Sequence, residues 1–249
     1  MNYHWNWGIF WELSPDGVHT YFQTLMLGTG WTLLTAGCAF IIALAFGSLV
    51  GVLRTTPFPW AVRFGNVYVE VFRNVPLLVQ MFLWYFVVPE VVPRPIGTWL
   101  KQLPEASFYT AVVALGLYMS ARIAEQVRAG ILSLPRGQRL ASLALGLTLP
   151  QAYLYVLLPM TYRILLPPLT SELLNTIKNS AVALTIGLME LTARARAMQE
   201  FSFQVFEAFT AATIIYIVIN MVVTFAMRLV ERRVAVPGYL GFKPPAAGH

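Results

Sequence analysis

The chain contains few of the side chains from which enzyme active sites are usually built. Its 249 residues include one cysteine and three histidines, and only 11% of them are charged. The lone Cys38 excludes a disulfide framework and lies in an apolar run, where a thiol typically packs as a small hydrophobic group. The histidines lie outside the apolar runs, so we predict neither a metal site nor a histidine base. The sequence has no Gly-x-x-x-x-Gly-Lys-Ser/Thr phosphate loop, and we expect no catalytic residues and no ATP hydrolysis by this chain.

What the chain has instead is long apolar sequence. Hydrophobic residues make up 57% of it, and its mean hydropathy is +0.64. Stretches such as 33–53 and 213–227 contain no charged residue and approach or reach the ~20 residues that an α-helix needs to cross a bilayer. The predicted fold class is therefore an all-α, polytopic membrane protein. Its formal charge of +6 indicates positive loops that orient it in the lipid bilayer, and we predict no nucleic-acid partner.

Prolines, glycines and charged residues divide the apolar sequence into about five candidate spans. We place them at about 25–53, 64–88, 108–127, 167–190 and 206–230. Pro167 and Pro168 suit the first turn of the fourth span, because their missing N–H groups would be unpaired there in any case. Pro76 lies inside the second span and predicts a bend, because it removes one backbone hydrogen bond.

The segments outside the spans complete the predicted organisation. Residues 1–24 are rich in tryptophan, and we expect them to rest at the outer membrane–water interface. They begin without a basic region, so we expect no cleavable signal peptide. Residues 25–238 form the predicted transmembrane domain, and residues 239–249 form a flexible tail.

Basic residues are distributed unevenly between the two sets of loops. One set carries Arg54, Arg63, Arg128, Arg136, Arg139, Arg163, Arg232, Arg233 and Lys243. The other carries Arg94, Lys101, Arg194 and Arg196. By the positive-inside rule the N-terminus lies outside, the C-terminus lies in the cytoplasm, and the long loop at 128–163 is cytoplasmic.

Several charged residues fall inside the predicted spans, where each one is costly and needs a reason. Glu70 with Arg73, and Arg122 with Glu125, have a three-residue spacing that puts both members on one helix face. We interpret Arg122 and Glu125 structurally, as a pair that neutralises itself or extends to the membrane interface, whereas for Glu70 and Arg73 that interpretation and a functional one stay equally open.

The fourth span carries the largest polar group. Its polar residues are Glu172, Asn175, Lys178, Asn179 and Ser180. Lys178 has no acidic residue three or four positions away, so we expect its ammonium to face a water-filled path or a ligand carboxylate. Helix–helix hydrogen bonds from Asn175 and Asn179 are the plain alternative for this group.

The loop at 128–163 resembles the EAA loop of ABC-importer permease subunits. That motif reads Glu-Ala-Ala, three residues, Gly, nine residues, then Ile-x-Leu-Pro, and here Gly146 is followed at that spacing by Val156-Leu157-Leu158-Pro159. Stretches 72–80, 124–130, 166–168 and 236–238 also resemble amino-acid importers of the histidine, glutamine and glutamate group. Residues 5–10 and 178–181 are most similar to permeases for glutamate and aspartate.

The resemblance implies the type I importer permease fold in a bacterial inner membrane. It implies a pair of permease subunits, in which the partner of this chain is a related sister chain rather than a second copy of it. The pair lies above two ATP-binding subunits that hold ATP and magnesium. A periplasmic binding protein would deliver a polar amino acid for ATP-driven alternating access. The residues it places in coupling to the ATPase are Leu140, Ala141, Ser142, Gly146, Leu154, Val156, Leu158 and Pro159.

The loop departs from the family motif at its charged positions. Leu140 stands where the motif has Glu, Ser142 where it has Ala, and Leu154 where relatives often have a basic residue. Our hypothesis is therefore that docking is mainly apolar and steric.

The polar residues of the spans suggest both a pathway and a substrate. Many related permeases have a sequence similar to Lys-Asp where this chain has Lys178-Asn179. The neutral amide of Asn179 leaves the local electrostatic field more positive than a carboxylate would, and this suits an acidic amino acid. The candidate pathway residues are Glu70, Arg73, Glu172, Asn175, Lys178, Asn179 and Ser180. The alternative is a self-sufficient secondary transporter or channel that uses Glu70, Arg73 and Lys178 as ion or proton relays.

Overall fold

The computed structural model describes residues 3–234. Within them the chain is almost wholly helical, and its only extended pairing is an isolated bridge between Leu13 and Thr20. The predicted tail at 239–249 and the stretch at 236–238 lie outside the described residues. The α-helices within 3–234 are α1 (Tyr21–Leu53), α2 (Pro59–Asn74), α3 (Leu77–Phe82), α4 (Val88–Val91), α5 (Arg94–Gln102), α6 (Ala106–Ser133), α7 (Arg136–Ala144), α8 (Leu149–Gln151), α9 (Leu158–Asn179), α10 (Leu191–Ser202) and α11 (Val205–Val234).

Tighter and wider helical turns extend several of these helices. A 3₁₀-helix lies at Trp7–Trp11, and another continues α9 at Ser180–Ile186. π-Helical segments join α3 to α4 at Leu83–Val87 and α8 to α9 at Ala152–Leu157. The last segment makes the end of the 128–163 loop helical and leads directly into α9.

Three helices of the described chain, α1, α6 and α11, are long and apolar enough to cross a membrane. The bent pair Pro59–Asn74 and Leu77–Val91 makes a fourth if it counts as one span. The predicted fourth span corresponds to α9, which carries Arg163, Glu172 and Lys178 in its 22 residues and is less apolar than α1, α6 and α11. The predicted count of five therefore remains a prediction.

The predicted start of the fourth span at Pro167 is wrong. α9 begins at Leu158 with Pro159 in its first turn, and both Pro167 and Pro168 lie inside the helix. The preceding π-helical segment has already formed helix when the chain reaches these prolines, so they interrupt hydrogen bonds and do not open the helix. Prolines inside spanning helices are tolerated where neighbouring groups satisfy the freed carbonyls.

The predicted bend at Pro76 is confirmed and separates two helices. α2 and the helix at Leu77–Val91 meet at an angle of 100°. Gln80 stabilises the break, because its Nε2 donates hydrogen bonds of 2.9 Å to the carbonyl oxygens of Phe72 and Val75. The buried amide thus satisfies carbonyl groups that the helix break leaves free.

Glycines bring α1 and α6 together along the core. A Cβ on Gly47 would lie 2.8 Å from the Cβ of Ile123, and one on Gly51 would lie 2.7 Å from the Cβ of Val127. Such distances are shorter than side chains tolerate, so the two helices pack backbone against side chain at these points. α9 and α10 pack against this pair, and α11 packs against α9 and α10.

Candidate functional site

A polar seam runs between α6 and α9. We define the α6–α9 polar seam as Met119, Arg122 and Gln126 of α6 with Glu172 and Asn179 of α9. The members from α6 are spaced by three and four residues, and those from α9 by seven, so each set lies on one helix face. Because the seam lies within long helices, it is a candidate for the polar part of a transport pathway.

Glu172 is the centre of the seam. Its side chain is 7% exposed. Its Oε2 accepts a hydrogen bond from Arg122 Nε at 2.9 Å, and its Oε1 accepts from Arg122 Nη2 at 3.3 Å and from Gln126 Nε2 at 2.9 Å. The buried carboxylate is therefore paired with a cation and bonded at both oxygens, as a charge inside a protein must be.

The predicted pairing of Arg122 with Glu125 is wrong. Arg122 reaches Glu172 on α9, whereas Glu125 contacts Arg54 Nη2 at 3.0 Å and Arg73 Nη1 at 3.4 Å. The two residues share a side of α6 but diverge enough to meet opposite charges on different neighbouring helices. The neutralisation of Glu70 by Arg73 is also wrong, because Arg73 points to Glu125.

A polar cavity of about 370 Å³ lies beside Glu125, between the end of α1, α2 and α6. Arg54 is its most buried charged side chain, at 8% exposed, and also donates from Nε to Asn66 at 2.8 Å. The lining residues are Arg54, Asn66, Val69, Glu70, Arg73, Asn74, Glu125 and Arg128. Two of the candidate pathway residues, Glu70 and Arg73, therefore lie in this cavity and apart from the candidates on α9.

Lys178 lies near the C-terminal end of α9. It is exposed and forms no ion pair or hydrogen bond with any residue between 3 and 234. Near it, Asn179 Nδ2 lies 3.7 Å from Met119 Sδ, the buried Ser180 hydroxyl donates to the Ile177 carbonyl at 2.8 Å, and Asn175 is half-buried. The ammonium is therefore available to a ligand or to another chain.

The loop at 128–163 contains two short helices, α7 and α8. Gly146 separates α7 from α8 with a φ of +87°, a left-handed conformation that favours glycine. Ser142 is buried, and its hydroxyl donates to the Arg139 carbonyl at 2.8 Å. Leu140 and Leu154 are 64% and 59% exposed.

The remaining coupling candidates lie along the same segment. Ala141 and Pro159 are exposed, while Val156 and Leu158 are half-buried. The loop therefore presents apolar side chains outward at the positions where the family motif has charge.

Sequence reasoning missed two polar groups that hold helices together. Tyr153 joins the π-helical segment to Thr55, directly after α1, and no local spacing indicates this contact. Glu190, which we placed at the end of a helix, instead begins α10 by accepting from the backbone N–H groups of Thr192 and Ala193 at 2.9 and 2.8 Å. Glutamate is not one of the residues that helices prefer at the N-cap, so the sequence carries no strong signal for this role of Glu190.

The sequence of the chain matches known transport proteins over most of its length. Residues 22–236 match the family described as binding-protein-dependent transport system inner membrane component. The chain is 49% identical over 246 residues to the glutamate/aspartate import permease protein GltJ of Escherichia coli strain K12, covering 98% of this chain and 100% of that protein. It is 33% identical over 212 residues to the probable glutamine ABC transporter permease protein GlnM of Bacillus subtilis strain 168, covering 85% and 94%.

Solved structures share the fold. An amino acid ABC transporter crystallised with histidines matches with a TM-score of 0.71 and 30% identity, over 86% of this chain and 95% of that one. The inward-facing MetNI methionine ABC transporter matches with a TM-score of 0.67 over 90% and 100%, at 20% identity, and shows the fold alone. Sequence and fold therefore agree that this chain belongs to the family of binding-protein-dependent transport system inner membrane components.

Proposed function

We propose that this chain is the permease subunit of an ABC importer that carries glutamate and aspartate across the bacterial inner membrane. Near full-length similarity to GltJ supports the substrate. The observation that carries the proposal is the exposed Lys178, a cation with no ion pair between residues 3 and 234. A cation left unpaired on a spanning helix suits an anionic cargo and disfavours a cationic one.

The proposed pathway uses residues from both polar regions. Glu172, Asn175, Lys178, Asn179 and Ser180 line its part along α9, and Glu70 and Arg73 line the polar cavity. The N-terminus is periplasmic and the C-terminus is cytoplasmic in this proposal. Positive charge at Lys178 and Arg73 attracts the substrate, while polar amides exchange hydrogen bonds with it as water is lost.

Energy enters through the loop at 128–163 in this proposal. The loop docks on a separate ATP-binding subunit, which holds ATP and magnesium, and this chain has no ATPase site of its own. A sister permease completes the path, and a periplasmic binding protein delivers the amino acid. The exposed Leu140 and Leu154 support a docking surface that is mainly apolar.

Reconstitution in proteoliposomes tests the proposal. The assembled complex, with loaded binding protein on one side and ATP on the other, is expected to accumulate radiolabelled glutamate. Lys178→Gln is expected to lower that uptake while intact-complex mass spectrometry still finds all subunits. Uptake driven by an ion gradient, by this chain alone and without ATP, would instead establish a secondary transporter.

A matched substitution separates the charge at Lys178 from general damage. Lys101 is also exposed, but it pairs with Glu90 at 2.5 Å on α5 and α4. Lys101→Gln is therefore expected to leave glutamate uptake near the wild-type rate. Unchanged uptake in Lys178→Gln would remove Lys178 from the pathway.

A further inference from the structure

Arg122 has donors that the described chain does not use. Its two hydrogen bonds to Glu172 use Nε and Nη2. The Tyr118 hydroxyl, one turn earlier on α6, is another polar group beside the guanidinium, but Nη1 forms no hydrogen bond of 3.5 Å or less to a residue within 3–234. We propose that Arg122 receives a carboxylate group of the transported amino acid at its free Nη1–Nη2 edge. This inference rests on the proposed function and assigns a further specificity-determining residue to it.

The exposure of Arg122 is the first reason. Its side chain is 44% exposed, although it lies in the middle third of α6, a helix long and apolar enough to span a membrane. A guanidinium remains charged at all physiological pH values, so lipid contact at this depth is unfavourable. The exposed edge of Arg122 therefore faces either water in a pathway or polar groups of a ligand.

The geometry behind Arg122 is the second reason. The carboxylate of Glu172 is buried, and both its oxygens already accept hydrogen bonds, one of them also from Gln126. This arrangement fixes the plane of the guanidinium before any ligand arrives, which lowers the entropy cost of binding. The interaction with Glu172 thus orients Arg122 without using all the N–H donors of its guanidinium group.

The chemistry of the free edge identifies the ligand class. Arginine offers only donors, and two parallel N–H groups match the two oxygens of a carboxylate. A neutral amide matches that edge with one acceptor only and gains no charge assistance. The edge therefore favours a carboxylate, a group that an acidic amino acid carries twice.

The number of glutamate molecules transported per ATP hydrolysed tests this role in the assembled complex. We compare wild type, Glu172→Gln and the double variant Arg122→Gln/Glu172→Gln at saturating loaded binding protein, with radiolabelled glutamate. The double variant removes the cation without leaving a buried carboxylate unpaired, so it tests Arg122 without the cost of an orphaned charge. Its transport ratio is expected to fall about tenfold relative to Glu172→Gln, the loss that one charge-assisted interaction of about 1.4 kcal/mol produces.

A purely structural role for Arg122 predicts a different result. In that case assembly, ATP hydrolysis and uptake would fall together, and the double variant would keep the transport ratio of Glu172→Gln, which overturns the inference. Arg122→Lys, which keeps the cation but loses the fork, is expected to give an intermediate ratio. Arg196→Gln, which breaks an exposed 2.8 Å pair with Glu200 on α10, is the matched control and is expected to keep the wild-type ratio.

The wild-type measurement separates this inference from the proposed function. If the wild-type complex carries no glutamate with ATP, the proposed function fails. If it carries glutamate and the double variant keeps the ratio of Glu172→Gln, the proposed function survives and only the role of Arg122 is wrong.

Discussion

The Tyr153 hydroxyl donates a 2.8 Å hydrogen bond to the carbonyl oxygen of Thr55, directly after the end of α1. The Thr55 hydroxyl donates to the Val52 carbonyl oxygen at 2.8 Å and also lies 3.1 Å from the Tyr153 hydroxyl. This pair connects the loop that we propose as the ATPase contact to the helix that runs along α6. The loop is therefore held to the residues that follow α1 by hydrogen bonds, although the chain itself joins it only to α6 and α9.

Tyr153→Phe is expected to destabilise the protein by about 1 kcal/mol, because it leaves the Thr55 carbonyl without its donor. Thermal unfolding in detergent, followed by tryptophan fluorescence, measures the loss. Tyr155, two residues later, is 65% exposed, so Tyr155→Phe is the matched control and is expected to unfold at the wild-type temperature. Equal melting temperatures for all three proteins would show that the Tyr153–Thr55 contact contributes nothing to stability.

Gly47→Ala is expected to destabilise the contact between α1 and α6. The added Cβ would lie 2.8 Å from both the Ile123 Cβ and the Ser120 carbonyl oxygen, and overpacking of this kind costs about 1–3 kcal/mol. Gly37 lies on the same helix with open space around it, so Gly37→Ala is expected to leave stability unchanged or slightly higher. Urea or thermal unfolding of the two variants compares the positions, and a milder effect at Gly47 than at Gly37 would contradict the packing.

The sequence predicts the long helices better than the contacts between them. The apolar runs identify α1, α6 and α11, and Pro76 identifies the break before α3, because hydropathy and a missing N–H act locally. The start of α9 is misplaced because a Pro-Pro pair has the same local signal at the first turn of a helix and inside one. The partner of Arg122 is misassigned because three-residue spacing describes one helix, while the choice between Glu125 and Glu172 depends on which helix lies opposite.

Leu140→Asp and Leu154→Arg are each expected to lower ATP-dependent uptake by the assembled complex. Both residues are exposed, and a charge at an apolar contact must lose water without gaining a partner. ATP hydrolysis and glutamate uptake are measured together in proteoliposomes. Leu13, which is 63% exposed in the segment before α1, supplies the control: Leu13→Asp is expected to keep normal uptake. Full coupling in both loop variants would refute apolar docking.

The turn before α1 is expected to resist acid. Backbone N–H groups of His19 and Val18, the His19 ring and the Ser14 hydroxyl bond the Asp16 carboxylate and hold its pKa well below the usual range. A depressed pKa means that the stabilisation is complete above the unfolded value of about 3.9 and is lost only as pH falls through the lower folded value.

Amide hydrogen exchange across residues 13–20 measures this effect. Protection at Val18 and His19, corrected for intrinsic rates, is expected to persist from pH 7 to about pH 4, near the unfolded pKa. Asp16→Ala is expected to remove that protection at every pH, while Asp16→Asn, which keeps one acceptor oxygen, retains part of it. Loss of wild-type protection between pH 6 and pH 5 (about one to two units above the unfolded pKa) would show that another group holds the turn.

The two prolines inside α9 set the mechanical character of that helix. Pro167 and Pro168 have no N–H to offer the carbonyl groups of Arg163 and Ile164, so successive turns are held together least firmly near the middle of α9. A rotation of the first turn of α9 is therefore transmitted to Lys178 only in part, and the remainder bends the helix. The two ends of α9 are thus able to reorient by different amounts, which an uninterrupted helix does not permit.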